Sequence, residues 1–358
     1  VAKEAGHWAL VYCHRDSRVD IEAAARGLER LHHPPRMRNA PMRAWALSRL
    51  GKQLKVQSPD VVHCYSIGDL WPLAFLLRRF APISLLYTME GEYRMFYRNW
   101  WLKTLIQRLD SLLLTHLEMK DNAWGHLGFH PRKMSYLGVG EEGENSRGML
   151  AAPESDGEWR LLVSFGGHEE EHEFVIPLLA ALRSINAQTK GPRFKLICHN
   201  ERSWQQCLIT NELKAAIAEF KCLDDVELVD GGNIGELQKR SHMWIELPSR
   251  STLEDVSIRA LMNHCPVILP RHAHSMELVR ELGPVGHTYH PGDARELRDK
   301  IGKMAKDYAH YGESLEKAQE KLNELHGVGR YRRELLSTYE RVFLRRLRLS
   351  SKRATSDI

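Results

Sequence analysis

The chain has no apolar run close to the ~20 residues a membrane-spanning helix needs. Its best candidate, Leu70–Phe80, is interrupted by Pro72, Arg78 and Arg79. No signal peptide is visible at the N-terminus. The six cysteines (Cys13, Cys64, Cys198, Cys207, Cys222 and Cys265) are scattered, with no C-x-x-C pair among them. Isolated thiols in a long chain suggest a reducing compartment, with most of them filling core space. Internal repeats and low-complexity segments are also lacking. A cytoplasmic protein is expected on these grounds, with peripheral contact at the inner face of a membrane as a further expectation.

What is present is material for two domains of ordinary size. The chain has 358 residues, of which 43% are hydrophobic and 27% charged. Each half is long enough to bury its own core. The net charge of +5 is unevenly placed. Arg36–Lys55 carries six basic residues and no acidic one, and the tail from Arg330 to Arg353 is rich in arginine. Such patches suit anionic phosphates or lipid headgroups, although solvated helix faces look the same in sequence. Nothing points to a nucleic-acid partner.

Strand and helix signals alternate along the first half, as in an α/β domain with a parallel sheet. Strands are expected at Trp8–Cys13, Asp60–Cys64, Ile83–Thr88, Ser111–Thr115 and Lys133–Leu137. Helices are expected at Ile21–Leu31, from about Leu70 to Arg79, at Trp100–Leu109, and near Met119. Met42, Trp45, Leu47, Leu50 and Leu54 are spaced roughly as on a helix within the basic segment. The text turns polar between Gly140 and Gly157, with Gly143, Gly148 and Pro153 inside, which marks an interdomain linker. A second α/β run follows. Its strands are expected at Arg160–Phe165, Phe194–Cys198, Val226–Val229, Met243–Leu247 and Val267–Leu269. Its helices are expected at Glu173–Ala187, Asn211–Lys221, Ile234–Ser241, Ser275–Leu282 and Ala294–Asp307, with two more at Tyr311–Leu325 and Tyr331–Leu349.

The richest stretch is Met243–Val267, MWIELPSRSTLEDVSIRALMNHCPV. It reads as a buried strand, a Pro-Ser loop, a helix of about ten residues, and Cys265-Pro266-Val267 entering the next strand. His168-Glu169-x-x-His172 matches the H-E-x-x-H signature of zinc proteases. That motif needs both histidines on one face of an established helix, and here it follows Gly166-Gly167 at a strand end. No third ligand has a recognisable spacing, and no metal is expected. Arg271-His272-Ala273-His274 reads as a loop or helix cap.

The order of elements in Met243–Val267 resembles the donor-sugar region of the family-4 glycosyltransferases, which have the GT-B fold. The likeness runs along nearly the whole chain. Ala5-Gly6-His7 is similar to the family's "GH", Ser58–His63 to its "PDVVH" strand, and Tyr87–Gly91 to its "T-x-H-G". Gly128–Met134 resembles the approach to the linker, Leu162–Gly167 the strand ending in "G-R", Pro248–Ser251 the "PSRS-E" loop, and His290–Asp293 the "PPGD" turn. The resemblance implies an α/β fold of two Rossmann-like, doubly wound domains facing a cleft. It divides the chain into an acceptor-side domain (1–139), a linker (140–157), a donor-side domain (158–328), and a C-terminal helix with a basic tail (329–358) returning to the first domain. It also places the family's first strand and glycine-rich loop before Val1, so either the sequence is truncated there or the domain has lost its first β-α unit.

Such an enzyme would bind a nucleotide-sugar and transfer its sugar to a glycan or lipid acceptor that the sequence does not identify, with no cofactor or metal. Cations and backbone amides must then stabilise the leaving diphosphate. By the resemblance, donor-binding positions fall on Gly166, Gly167, His172, Arg250, Ser251, Thr252 and Arg259, and catalytic acids on Glu90 and Glu254. The family's Arg and Lys are replaced by Gly167 and His172. Its paired glutamates fall on Ser251 and Arg259, with Glu254 or Asp255 as stand-ins for one of them. Glu169, Glu170, Glu171 and Glu173 crowd the diphosphate end, where each like-charge contact at ~4 Å would cost roughly 4 kcal/mol at an effective dielectric near 20. The alternative expectation is a GT-B module that binds or scaffolds without catalysis.

Overall fold

The computed structural model describes residues 2–15, 17–33, 40–65, 70, 73–74, 76–77, 83–89, 104, 106–115, 120, 123–125, 128–138, 140, 148–154, 157–165, 172–188, 191–200, 204, 210–248 and 254–356. Two compact units emerge: residues 1–138 with 331–358, and residues 139–330.

In the first unit, β1 (Leu10–His14) leads into α1 (Arg18–Ala25), whose first turn is capped by Ser17 accepting from the Asp20 amide at 3.2 Å. The expected helix at Ile21–Leu31 is overturned. It stops at Ala25, Gly27 takes φ +62°, and Glu29–His33 forms strand β2, parallel to β1. Ile21, Leu28 and Leu31 fit a helical period, but the turn at Gly27 and the backbone pairing of Leu10–His14 with Glu29–His33 win locally. Helix α2 (Ala40–Gln57) turns Leu54 inward, while Arg49, Lys52 and Lys55 are exposed. Strands β3 (Val61–Cys64), β4 (Ser84–Met89), β5 (Ser111–Leu114) and β6 (Met134–Tyr136) form a parallel sheet in that order. All of β4 and β5 is buried, as continuous apolar runs in a parallel sheet should be. The expected helix near Met119 and half of those at Leu70–Arg79 and Trp100–Leu109 lie outside the described residues.

The second unit is a six-stranded parallel sheet in the order β12-β11-β10-β7-β8-β9. In chain order its elements are β7 (Glu158–Phe165), α3 (His172–Gln188), β8 (Arg193–Asn200), α4 (Thr210–Glu219), β9 (Val226–Asp230), α5 (Ile234–Lys239) and β10 (Met243–Ile245). Then come α6 (Glu254–Met262), β11 (Val267–Pro270), α7 (Ala273–Leu282), β12 (Gly286–Tyr289), α8 (Ala294–Lys306) and α9 (Tyr308–His326). Strand β12 has no counterpart among the sequence expectations. Its four residues, GHTY, are too short and too polar for an apolar pattern.

Alternation along the strands sends Leu161, Val163, Phe165, Met243, Ile245 and Ile268 to the face covered by α3, α4 and α8. Leu162, Trp244, Val267 and Leu269 face α6, α7 and α9. Both faces are therefore closed, and polar chemistry is confined to the ends of the strands. Residues 148–154 pack with this unit, where the Ala151 carbonyl accepts from His242 Nε2 at 3.1 Å.

Helix α10 (Val328–Ser356) belongs mostly to the first unit, where it crosses the sheet built by β3–β6. Leu335 and Val342 pack on Leu86, Leu113 and Leu137. Polar ties run alongside: Tyr339 Oη to His63 Nδ1 at 2.8 Å, Thr338 Oγ1 to Ser135 Oγ at 3.1 Å, and Arg346 to Asp110 at 2.9 Å. Asp110 also accepts from the Leu85 amide at 3.0 Å, so a single carboxylate links helix and sheet.

Candidate functional site

Strand order alone locates the place where this unit can hold a ligand. Counted along the chain, the sheet runs 6-5-4-1-2-3, so the winding reverses between β7 and β10. Ligands of open α/β sheets bind outside the carboxyl ends of the strands at such a reversal. In sequence, β7 is followed by residues 166–171 and β10 by residues 246–253, of which 166–171 and 249–253 lie outside the described residues. Their stems lie on neighbouring strands, with Val163 paired to Ile245 and Leu161 to Met243.

Those loops contain Gly166, Gly167, Arg250, Ser251 and Thr252, all of which lie outside the described residues, as does Glu90 beyond β4. His172 opens α3 and Glu254 opens α6, so the backbones of both stand at this edge. Arg259 sits in the last turn of α6 and packs beside α5, its Cδ 3.9 Å from where a Cβ on Gly235 would lie. His168 and Glu169 of the H-E-x-x-H match also lie outside the described residues. Among the described residues no group of three His, Cys, Asp or Glu side chains could hold a metal ion.

The described part of the edge is polar and tightly bonded. At the end of β8, His199 is fully buried, with Nδ1 3.0 Å from Ser164 Oγ and Nε2 3.1 Å from the Gly231 carbonyl. A carbonyl only accepts, so the ring carries a proton on Nε2, with Nδ1 within hydrogen-bond reach of the Ser164 hydroxyl. Asp230 accepts from the Trp204 amide at 2.6 Å, and the Trp204 indole donates to the Val229 carbonyl at 3.1 Å. The ends of β7, β8 and β9 are thus tied together.

On the other side of the reversal, Glu246 follows β10 and is only 5% exposed. The Trp244 indole donates to Ser257 Oγ at 2.8 Å, and the Ser257 hydroxyl donates to the Glu246 carboxylate. The Tyr289 hydroxyl donates to the Glu246 carbonyl at 2.9 Å. Burial, then the neighbouring Glu246 charge, pushes the Tyr289 phenol well above its ordinary range, so it stays a donor. Further out, Arg271 meets Glu296 at 2.7 Å and His290 Nε2 at 3.1 Å, and His290 Nδ1 lies 2.8 Å from Glu296. Desolvation opposes ionisation of Glu296, but the His290 amide and ring and the Arg271 charge together hold its carboxyl below the usual range. Asp293 caps α8 by accepting from the amides of Arg295 and Glu296 at 3.0 and 2.9 Å, which gives the Asp of the His290–Asp293 turn a plain structural role.

Sequence reasoning missed Glu246 and Ser257. A signal for the first was available: an acidic residue inside the apolar run MWIEL must be buried with a partner.

Parallel α/β units with this strand order define a Rossmann-like architecture, and the solved structures that resemble the chain are GT-B glycosyltransferases. A glycosyltransferase from Rickettsia africae superposes with a TM-score of 0.73 at 15% identity, covering 95% of this chain and 91% of that one. HepE of Anabaena, in complex with UDP and glucose, gives 0.74 at 14% identity over 93% and 91%. Sucrose-phosphate synthase of Thermosynechococcus elongatus gives 0.67 at 14% identity over 99% and 91%. Identities this low establish the fold. The model of Glycosyltransferase Family 4 matches residues 2–139, so the chain is glycosyltransferase-like, as its motifs imply. None of the curated proteins matches the sequence. No helix among the described residues is long and apolar enough to cross a membrane.

Proposed function

We propose that the protein transfers a sugar from a nucleotide diphosphate-sugar to a glycan or lipid acceptor, with the donor held at the carboxyl edge of β7 and β10. One observation carries this reading: β7 and β10, the strands that precede the two segments the family resemblance assigns to the donor, are neighbours at the point where the winding reverses. The family match in the N-terminal unit and the ligands of HepE support it. In this reading Gly166 and Gly167 offer backbone amides to the diphosphate. Arg250 and Arg259 supply positive charge in place of the missing pair, His172 and Glu254 stand at the openings of their helices, and Ser251 and Thr252 meet the sugar. Glu90 faces the acceptor as a base. No metal or cofactor is called for, because cations and amides meet the phosphate charge.

Arg259 favours the second reading, a module that binds without catalysis, since it occupies a position where the family has an acid and is packed beside α5. Calorimetry with uridine and guanosine diphosphates on the full chain separates the two. Low-micromolar affinity for one of them is expected of a transferase. Millimolar binding or none contradicts it. Peripheral contact with an anionic membrane is part of the same proposal, with Arg49, Lys52 and Lys55 on the exposed side of α2 as its described portion.

A further inference from the structure

We infer that the outer face of α10, where it passes the amino-terminal edge of the sheet β3–β6, rests on an anionic lipid bilayer. The inference rests on the membrane contact in the reading above and gives it a second, more specific surface. Asp110 and Lys133 immediately precede β5 and β6, so both stand at that edge. Helix α10 reaches it in its second half. The Ser84 hydroxyl at the start of β4 donates to the Val342 carbonyl at 3.5 Å, and Arg346 meets Asp110 at 2.9 Å. Beyond Val342 the helix turns Leu344, Arg345, Leu347 and Arg348 to solvent, with Leu344 52% and Leu347 47% exposed. The surface is cationic. Residues 341–356 hold six basic side chains and no acidic one. Burial first, then the Arg345 charge, draws the Lys133 ammonium below its ordinary range; Arg346 adds to this and Asp110 opposes it.

A bilayer is the partner that uses both features of this face. Leu344 and Leu347 stand about one helical turn apart on a helix anchored by Leu335 and Val342. Leucines set among arginines are the pattern of an interfacial helix, in which apolar side chains reach the acyl boundary and guanidinium groups stay with the phosphates. A soluble polyanion would use the charge and offer nothing to the leucines. The position fits as well. Lys55, in the last turn of α2, comes to the same edge, because the Asp60 carbonyl accepts from the Ser84 amide at 2.9 Å where β3 and β4 begin. Ligands of open α/β sheets bind at the opposite, carboxyl edge, so docking here leaves that edge open.

The test is co-sedimentation of the full chain with vesicles of phosphatidylcholine, with and without phosphatidylglycerol. It compares wild type, Arg345→Gln, Arg345→Lys, Leu344→Ser and the double variant Leu344→Ser/Arg345→Gln. Both positions are exposed, so all the variants should keep the wild-type unfolding midpoint. Wild type should bind only the vesicles that contain phosphatidylglycerol. Arg345→Gln should weaken that binding by about fivefold and reduce its salt dependence, the factor one basic residue contributes at an anionic surface. Arg345→Lys keeps the charge and should bind as the wild type does. Leu344→Ser should also weaken binding by about fivefold, by the same factor at high salt, and the double variant by about 25-fold. Wild-type binding by both single variants overturns the inference, and a fall only when Arg49, Lys52 and Lys55 are replaced assigns the membrane contact to α2. Loss in Arg345→Gln with none in Leu344→Ser marks a surface for soluble polyanions and overturns it too. Calorimetry with uridine diphosphate reads the donor site separately. Vesicle binding without nucleotide binding removes the transferase reading and leaves this surface standing, whereas a wild type that ignores anionic vesicles removes the surface whatever its nucleotide affinity.

Discussion

Replacing His63 with glutamine should remove a large part of the acid sensitivity of the N-terminal unit. His63 lies on β3 with Nδ1 2.8 Å from the Tyr339 hydroxyl and Nε2 2.6 Å from Thr88 Oγ1, and it stacks on Tyr65 at 4.3 Å between ring centroids. Burial pushes its pKa from 6.5 down to about 4. The folded value lies below the unfolded one, so between pH 4 and 6.5 the unfolded chain binds more protons. Stability from this residue is complete above pH 6.5 and is lost as pH falls toward 4. A shift of this size amounts to roughly 3 kcal/mol over the whole interval, of which about 2 kcal/mol is already gone at about pH 5. His242, His264 and His287 are depressed as well, all in the other unit, so the two units must be read separately. Urea unfolding followed by hydrogen-exchange mass spectrometry of β3 and β4 peptides does so. Wild type should lose about 2 kcal/mol more than His63→Gln between about pH 7 and pH 5 in these peptides. Equal losses in the two proteins would refute the claim that the half-buried His63 is held neutral beneath α10.

Two further outcomes are expected. A Cβ at Gly286 would run into the Val267 carbonyl and come within 2.7 Å of Val267 Cγ2, so Gly286→Ala should cost roughly 1–3 kcal/mol by forcing β11 and β12 apart, read as a lower unfolding midpoint of the C-terminal unit; an unchanged midpoint contradicts the register that sets Gly286 opposite Val267. Sedimentation with vesicles tests the basic helix α2: binding should require anionic lipid, weaken with salt, and fall when Arg49, Lys52 and Lys55 become glutamine, whereas equal binding to neutral vesicles removes membrane contact from the reading.

Much of the fold was legible because its strongest signals are local. Short apolar runs such as RLLVSF and SLLL, bounded by turn residues, read as buried strands in an α/β chain. What escaped was decided by tertiary contact. Glu29–His33 has a helical look and becomes a strand because β1 offers it a partner. Strand β12 is four residues held by pairing with β11, with Gly286 admitting close approach. In the site, motif matching reaches the loops at 166–171 and 248–253. It does not reach Glu246 and Ser257, whose importance lies in side chains brought together from residues 11 apart. Residue types alone carry no such information.

The central claim is that a nucleotide diphosphate binds at the carboxyl edge of β7 and β10. Hydrogen-exchange footprinting of the full chain with and without saturating uridine diphosphate tests it most directly. Protection confined to peptides spanning 163–175, 199–204 and 246–256 is the predicted result. Protection elsewhere, or none at concentrations that saturate a micromolar site, would contradict it.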